Sequence, residues 1–304
     1  MSSPGARDAL DTLSESIEAR LVAANPRGMQ HLRAALEPGY CLRAARLLQG
    51  AQTVLIATGF PVDDTFETDG PLGSIALYRA LEQLGGRPVI ATANPMANRL
   101  RGDFRLHLLE AYTLDDGRRE ARRVLDSMRP DAIVSIERPG LNADGCYYNM
   151  RGEDISARCA VFDYYLELAQ CPTIAIGDGG NEIGMGRVAD AVAELAIRGS
   201  STGCDELIVA DVSNWGAYAL VAVLQALSTE ALLDAVDHSG LLAYLCERGS
   251  VDGVTRENTP TEDGMPMAAG EALLEDLRQL VASFRSGSDR PFTAPGSDFS
   301  LTRD

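Results

Sequence analysis

The segment TVLIATGFPVDDTFETDGPLGSIALYRALEQLGGRPVIATA (53–93) contains one complete strand–helix–strand unit, and this unit indicates the fold of the whole chain. TVLIAT (53–58) is a short apolar run rich in β-branched residues, which is typical of a strand buried on both faces. LGSIALYRALEQLGG (72–86) predicts a helix that ends at glycine, and RPVIATA (87–93) predicts the next strand. Strands connected through a helix in this way lie parallel in one sheet.

The same unit recurs towards the carboxyl terminus. Further strands are predicted at FRLHLLEAY (104–112), DAIVSIE (131–137), CPTIAIGD (171–178) and DELIVADVS (205–213). The helices between and after them are predicted at 116–128, 155–170, 187–199 and 215–227. This alternation predicts an α/β fold: a mainly parallel sheet with helices on both faces, in the three-layer, doubly wound arrangement.

The segments outside the repeated units predict additional helices at both ends. Helical spacing of apolar residues covers 7–24, 28–48, 229–248 and 267–284, with breaks at Asn25-Pro26 and Pro38-Gly39. Residues 251–266 are interpreted as a polar loop. We therefore expect a single domain over residues 1–284, with the motifs in about 50–225, and a disordered tail over 285–304.

Composition excludes several classes of function. The net charge of −17 makes nucleic acid and membrane poor partners, because both are anionic. All 27 basic residues other than histidine are arginine, so a Schiff-base lysine and a phosphate-binding Walker lysine are both absent. The six cysteines and three histidines show no metal-ligand spacing. No apolar run suits a signal peptide or a membrane span, so the expected compartment is the cytoplasm.

Four loops that follow predicted strands are rich in glycine, acids and amides. They are GFPVDDTFETDGPLG (59–73), RPGLNADGCYYNMRGEDI (138–155), GDGGNEIGMG (177–186) and DVSNWG (211–216). In open parallel sheets, ligands bind beyond the carboxyl ends of the strands. The four loops should therefore meet at one edge of the sheet and form a site there.

Each loop also has a purely structural interpretation. Asp178, Asn181 and Glu182 supply oxygen ligands beside a predicted helix, although acid and amide side chains also cap helices. Glu67 and Asp69 precede a helix that begins near Leu72 with N–H groups suited to an anion. The alternative is that Thr68 or Asp69 is only its N-cap.

The other two loops offer different polar groups. The 138–155 loop is long enough to favour a functional role over a surface excursion, and it begins after Glu137. In DVSNWG, Asn214 either caps a helix or contacts a ligand, and Trp215 could simply belong to the core.

Several carboxylates at one sheet edge would repel one another and raise each other's pKa values. A bound cation removes this conflict, and oxygen ligands without histidine or cysteine favour Mg²⁺ or Mn²⁺ over zinc. Arg138 and Arg151 are then candidates for a bidentate grip on a substrate carboxylate or phosphate.

The four loops also carry a resemblance. TGF…ETDGPLG, ERPG…DGCYYNMRG, IGDGGNEIGMG and VSNWG, in this order over about residues 50–225, closely resemble the cyclase-like C-terminal domain of the D-glutamate cyclase family. The vertebrate members have an additional N-terminal domain and a mitochondrial presequence, so this chain resembles the compact prokaryotic form. The lysine that usually follows GMG in the family is replaced by Arg187.

The resemblance implies conversion of D-glutamate to 5-oxo-D-proline with loss of water, aided by a divalent metal such as manganese. It implies metal ligands among Glu67, Asp69, Glu137, Asp178 and Glu182. Glu137, Asp178 and Glu182 are the expected catalytic residues. The expected substrate-binding residues are Thr68, Gly70, Gly73, Arg138, Tyr148, Asn149, Arg151, Asn181 and Asn214.

Two other functions fit the same residues. One is an Mg²⁺- or Mn²⁺-dependent hydrolase, phosphatase-like, that acts on a small anionic substrate. The other is a non-enzymatic sensor of small molecules. In all three cases we expect the partner to be a small anion, and the chain could also form a homo-oligomer.

Overall fold

The computed structural model describes residues 4–287 and contains the expected parallel sheet. The strands are β1 (Val54–Thr58), β2 (Pro61–Val62), β3 (Thr65–Phe66), β4 (Val89–Thr92), β5 (Leu106–Leu108), β6 (Ala132–Ile136), β7 (Thr173–Gly177), β8 (Glu206–Val209), β9 (Thr261–Glu262) and β10 (Met265–Pro266). The α-helices are α1 (Pro4–Leu21), α2 (Met29–Ala34), α3 (Tyr40–Leu48), α4 (Pro71–Gln83), α5 (Met96–Leu100), α6 (Leu114–Met128), α7 (Asp163–Glu167), α8 (Ala189–Val192), α9 (Ser213–Leu227), α10 (His238–Glu247) and α11 (Met267–Ser286).

The order of the strands in the main sheet defines where a ligand can bind. Six strands pair in parallel in the spatial order β5-β4-β1-β6-β7-β8. Counted along the chain, this is the doubly wound order 3-2-1-4-5-6, in which the winding direction reverses between β1 and β6. A crevice forms at such a switch point, beyond the carboxyl ends of the two strands.

Alternate side chains of the strands enter two different hydrophobic layers. Val54 and Ile56 of β1 pack into the larger layer, which is covered by α1, α3, α4, α9 and α11. Leu55 and Ala57 point the other way, into a smaller layer that includes Val124 of α6. Helices therefore cover both faces, and the three-layer α/β prediction is confirmed.

Two helices predicted between strands are wrong in extent, and the helix predicted at 229–248 is reduced to a 3-10 turn (Leu233–Ala235) and α10. Over 155–170 the chain forms only a 3-10 turn (Ser156–Arg158) and the short α7, because Val161 instead donates its N–H to the Ala111 carbonyl at 2.8 Å. Over 187–199 helix is limited to the end of a 3-10 turn (Met185–Val188) and α8. The chain then turns back, and Ser200 donates its N–H to the Gly180 carbonyl at 3.0 Å.

Smaller differences concern element ends. The strand predicted at 104–112 is only Leu106–Leu108, and the predicted loop 251–266 contains the antiparallel pair β9–β10. The last helix continues to Ser286, past the end predicted at 284, and residues 288–304 of the predicted tail lie outside the described residues. Over 4–287 no helix combines the length and the apolar character that crossing a membrane requires.

Candidate functional site

Three carboxylates from different loops meet at the switch point. Asp69, Glu137 and Asp178 each offer an oxygen that lies within 4.8 Å of the other two. Asp69 follows β1 after a short excursion, Glu137 directly follows β6, and Asp178 directly follows β7. Because these strands are parallel neighbours, their carboxyl ends bring the three acids together, as the sequence predicts.

A cavity of about 310 Å³ opens beside this cluster, near the lower end of the usual range for small-molecule sites. Its lining combines acids, amides, arginines and a few apolar side chains. The acids and amides are Glu67, Glu137, Asn149, Asp178, Asn181, Glu182, Asp63 and Asp263. The arginines are Arg27, Arg151, Arg158 and Arg256. Asp69 is fully buried behind this lining.

Burial raises the pKa values of the carboxyl groups in the site, so their ionised forms are disfavoured. Burial, together with Asp263 and Glu262, raises the pKa of Asp69 to about 7. Burial also raises the pKa of Glu137 well above its usual value, and the charges of Glu182 and Asp69 add to this effect. The pKa values of Glu67, Asp178 and Glu182 are likewise raised, first by burial.

These shifts predict how the stability of the metal-free protein depends on pH. An acid whose folded-state pKa is raised binds more protons in the folded state, so the free energy of unfolding falls as pH rises from about 4 through 7. Each such proton contributes a slope of about 1.4 kcal/mol per pH unit. We expect the melting temperature in chelator to fall between about pH 5 and pH 8. The carboxyls whose pKa is lowered, such as Asp252, lose their stabilising effect only at lower pH. A flat or rising melting temperature over this range would contradict the prediction.

The backbone at Glu137 is held in an uncommon conformation. Its φ angle is +44°, in the left-handed region that non-glycine residues rarely adopt. Gly70 makes the close approach possible, since a Cβ there would lie 2.6 Å from the Glu137 Cβ. The Ser213 hydroxyl donates to Glu137 Oε2 at 2.6 Å. Such strain is typical of a residue fixed for function.

Two helix N-termini are capped reciprocally beneath the cluster. Asp69 accepts the N–H groups of Ser213 and Asn214, at 2.8 and 2.7 Å, at the beginning of α9. Asn214 Oδ1 in turn accepts the N–H groups of Gly70 and Gly73, at 2.8 and 2.7 Å, at the beginning of α4. The α4 donors of Gly70 and Gly73, predicted to bind a substrate, therefore already have a protein partner. Asp69 caps α9, and at α4 it accepts only the Gly70 N–H, at 2.9 Å.

Three other predicted substrate-binding residues, Thr68, Arg138 and Tyr148, lie outside the cavity lining and form hydrogen bonds with protein groups. The buried Arg138 guanidinium donates to the carbonyls of Thr58, Gly59 and Ala160. The Tyr148 hydroxyl donates to Asp144, and the Thr68 hydroxyl donates to the Thr261 carbonyl. Of the nine predicted substrate-binding residues, the cavity lining contains Asn149, Arg151 and Asn181. Substrate contact by any of the nine stays a prediction.

Sequence reasoning missed five charged residues of the cavity lining, and two of them, Arg27 and Asp263, form an ion-pair network with Asp178. Arg27, between α1 and α2, forms ion pairs of 2.6 Å with both Asp178 and Asp263. Burial lowers the pKa of Arg27, but Asp178 and Asp263 raise it, and the net value is well above the usual one. Asp263 lies in TEDG (261–264), which repeats the acid–glycine composition of ETDG (67–70) and could have been recognised by it.

The donor set fits a hard divalent cation. Asp69, Glu137 and Asp178 provide only oxygen, which Mg²⁺ and Mn²⁺ prefer. Glu67 Oε1 and Asn181 Oδ1 are buried acceptors without a hydrogen-bond partner among the described residues. Arg27 compensates only part of the negative charge, because its ion pairs are with Asp178 and Asp263.

Comparison with known sequences identifies the family of the chain. A family model described as "D-glutamate cyclase-like, C-terminal" matches residues 19–278. The chain belongs to this family. Human "D-glutamate cyclase, mitochondrial" is 35% identical in an alignment of 226 positions that covers 65% of this chain and 36% of that protein. The match thus spans about a third of the length of this relative.

The structural comparison adds little. The crystal structure of an exopolyphosphatase-related protein from Bacteroides fragilis superposes with a TM-score of 0.38 and 10% sequence identity. It covers 84% of this chain and 62% of that chain. A likeness of this size carries no argument about the fold or the function of this family member.

Proposed function

We propose that this chain converts D-glutamate to 5-oxo-D-proline and water with the help of a divalent cation. The observation that carries the proposal is the cluster of Asp69, Glu137 and Asp178, within 4.8 Å of one another beside a cavity of about 310 Å³. Membership in the D-glutamate cyclase-like family supports the choice of substrate.

The reaction requires attack by the α-amine on the γ-carboxylate carbon, which is a poor electrophile because the group is anionic. Held by Asp69, Glu137 and Asp178, Mn²⁺ or Mg²⁺ would neutralise this carboxylate and polarise its C–O bond. Two protons leave the ammonium nitrogen as the N–C bond forms, and both end on the departing oxygen, which leaves as water. Glu182 lines the cavity outside the three-carboxylate cluster and is the candidate carrier of these protons.

The α-carboxylate of the substrate needs a cation that is not already neutralised. Arg27, Arg158 and Arg256 all have carboxylate partners within 4.0 Å. Arg151 forms no ion pair with any described residue, and its guanidinium donates to the Val254 carbonyl at 2.8 Å. We therefore assign the α-carboxylate to Arg151.

Replacement of Arg151 with alanine should raise the KM for D-glutamate about 10- to 100-fold, the cost of a hydrogen bond to a charged group. The α-carboxylate does not react, so kcat should change less than about threefold. Steady-state kinetics measure both constants. Arg248→Ala is the matched control, because that arginine pairs with Asp103 outside the cavity. A large loss of kcat at unchanged KM would contradict the assignment.

The decisive experiment compares the candidate functions directly. The purified chain with Mn²⁺ is incubated with D-glutamate, with L-glutamate and with p-nitrophenyl phosphate, and 5-oxoproline and phosphate are measured. Formation of 5-oxoproline supports the cyclase. Phosphate release alone would establish the hydrolase instead, and binding without turnover of any substrate would indicate a sensor.

A further inference from the structure

A second buried polar network lies behind the site, away from the cavity. Glu262 is fully buried and accepts two hydrogen bonds of 2.7 Å, from Asn214 Nδ2 to one oxygen and from Trp215 Nε1 to the other. His238 Nε2 is 3.6 Å from Glu262 Oε1. The His238 ring can pack this close because residue 270 is glycine, where a Cβ would lie 2.4 Å from the ring.

The position of Glu262 determines how the Asn214 amide is oriented. On one side of this amide are the N–H donors of Gly70 and Gly73, and both donate to Asn214 Oδ1. The Gly70 N–H also donates to Asp69 Oδ1 at 2.9 Å. On the other side are Glu262 and the Thr68 carbonyl, which both need a donor. Only one of the two amide orientations makes all four of these hydrogen bonds. The opposite orientation would direct the Asn214 oxygen at the acceptor oxygens of Glu262 and Thr68, and its NH₂ group at the Gly73 N–H.

Asn214 connects this network to the carboxylate cluster. Its backbone N–H donates to Asp69 Oδ1 at 2.7 Å. Its side-chain oxygen accepts the Gly70 N–H and so stabilises the turn that connects Asp69 to α4. Gly73 allows α4 and α9 to cross closely here, because a Cβ would lie 2.7 Å from the Ala217 Cβ. The chain of contacts therefore runs from Glu262 through Asn214 to Asp69.

We propose that Glu262 is a positioning residue, which fixes the Asn214 amide and thereby holds Asp69 in the geometry that binds the divalent cation. This inference rests on the metal site of the proposed function. Residues that orient metal ligands through hydrogen bonds commonly affect affinity or activity about 10- to 100-fold. Burying a carboxylate is expensive, so a role in orienting the site gives it a physical reason to be there.

Glu262→Gln tests the proposal with almost no change in shape. The glutamine presents an NH₂ group in place of one oxygen, so it faces an N–H donor of either Asn214 or Trp215 and loses that hydrogen bond. We expect the affinity for Mn²⁺ or Mg²⁺, measured by calorimetry without substrate, to fall about 10- to 100-fold. Trp215 is the only tryptophan, so its emission should also differ between the two proteins.

Glu206→Gln is the matched control. Glu206 begins β8 at the opposite edge of the sheet and accepts a hydrogen bond from Arg43 at 2.8 Å. This variant should bind the metal like the wild type.

The exchange variant Asn214→Asp/Glu262→Gln separates orientation from loss of structure. It keeps the hydrogen bond between positions 214 and 262 with donor and acceptor exchanged. We expect it to bind the metal more tightly than Glu262→Gln alone, although it loses the weaker contact to the Thr68 carbonyl. If Glu262→Gln alone does not fold, the exchange variant provides the test of the proposal.

Two results would overturn the inference: unchanged metal affinity in Glu262→Gln, or an exchange variant that binds no more tightly than the single one. If the wild type itself binds neither metal, the metal site of the proposed function fails, and this outcome is distinct from both.

Discussion

Glu137→Gln is expected to lower turnover at least about 100-fold, the usual cost of losing a key electrostatic group. Glu137 is the member of the cluster whose backbone is held at φ +44°, and its carboxylate is also part of the cavity lining. The substitution preserves the shape of the side chain and its contact with Ser213 but removes one anionic ligand.

The same substitution should not weaken the metal-free fold. Burial raises the pKa of Glu137, and the neighbouring Glu182 and Asp69 add to the shift, so the ionised form is penalised in the folded state. Removing this charge should leave the melting temperature in chelator, near neutral pH, the same or higher.

Kinetics and thermal melting of Glu137→Gln and of the control Glu206→Gln provide the measurement. Glu206 is a partly buried glutamate at the far edge of the sheet, so its replacement should spare turnover. Retained turnover together with a much lower melting temperature in Glu137→Gln would show that Glu137 has a structural role and that the site is misplaced.

Removal of divalent cations should abolish activity completely, and Mn²⁺ or Mg²⁺ should restore it. Three buried carboxylates within 4.8 Å of one another repel strongly, and Arg27 forms an ion pair with only one of them, Asp178. A cation bound between them relieves this repulsion and gives the γ-carboxylate of the substrate a partner of opposite charge.

The test treats the protein with EDTA, removes the chelator by dialysis and then titrates the metal back while 5-oxoproline is measured. Glu137→Gln should not recover at metal concentrations that restore the wild type, since it lacks one ligand. Full activity in the chelator-treated protein before any metal is added would refute metal dependence.

Local sequence patterns were sufficient to predict the fold class. Continuous apolar runs such as TVLIAT and CPTIAI are too short for helices and too uniformly apolar for strands with a solvent-exposed face, so they predict buried parallel strands. Local patterns did not predict the structure of 155–170 and 187–199, where the helical spacing of apolar residues suggested longer helices than the chain forms. In the first segment the Val161 N–H bonds to the distant Ala111 carbonyl, and directly after the second segment the Ser200 N–H bonds to the Gly180 carbonyl. No local pattern encodes such partners.

The sequence by itself also determined that acids from several loops would meet at one edge. Asp69, Glu137 and Asp178 follow neighbouring parallel strands, and the geometry of such a sheet makes their proximity a consequence of chain order. Only the tertiary structure decided which residues surround and support these three acids. Arg27 comes from outside the repeated units, and Asp263 and Glu262 come from a segment that looked like an ordinary polar loop. The physical reason is that hydrogen bonds and ion pairs between distant segments depend on how whole layers pack, which local periodicity does not record.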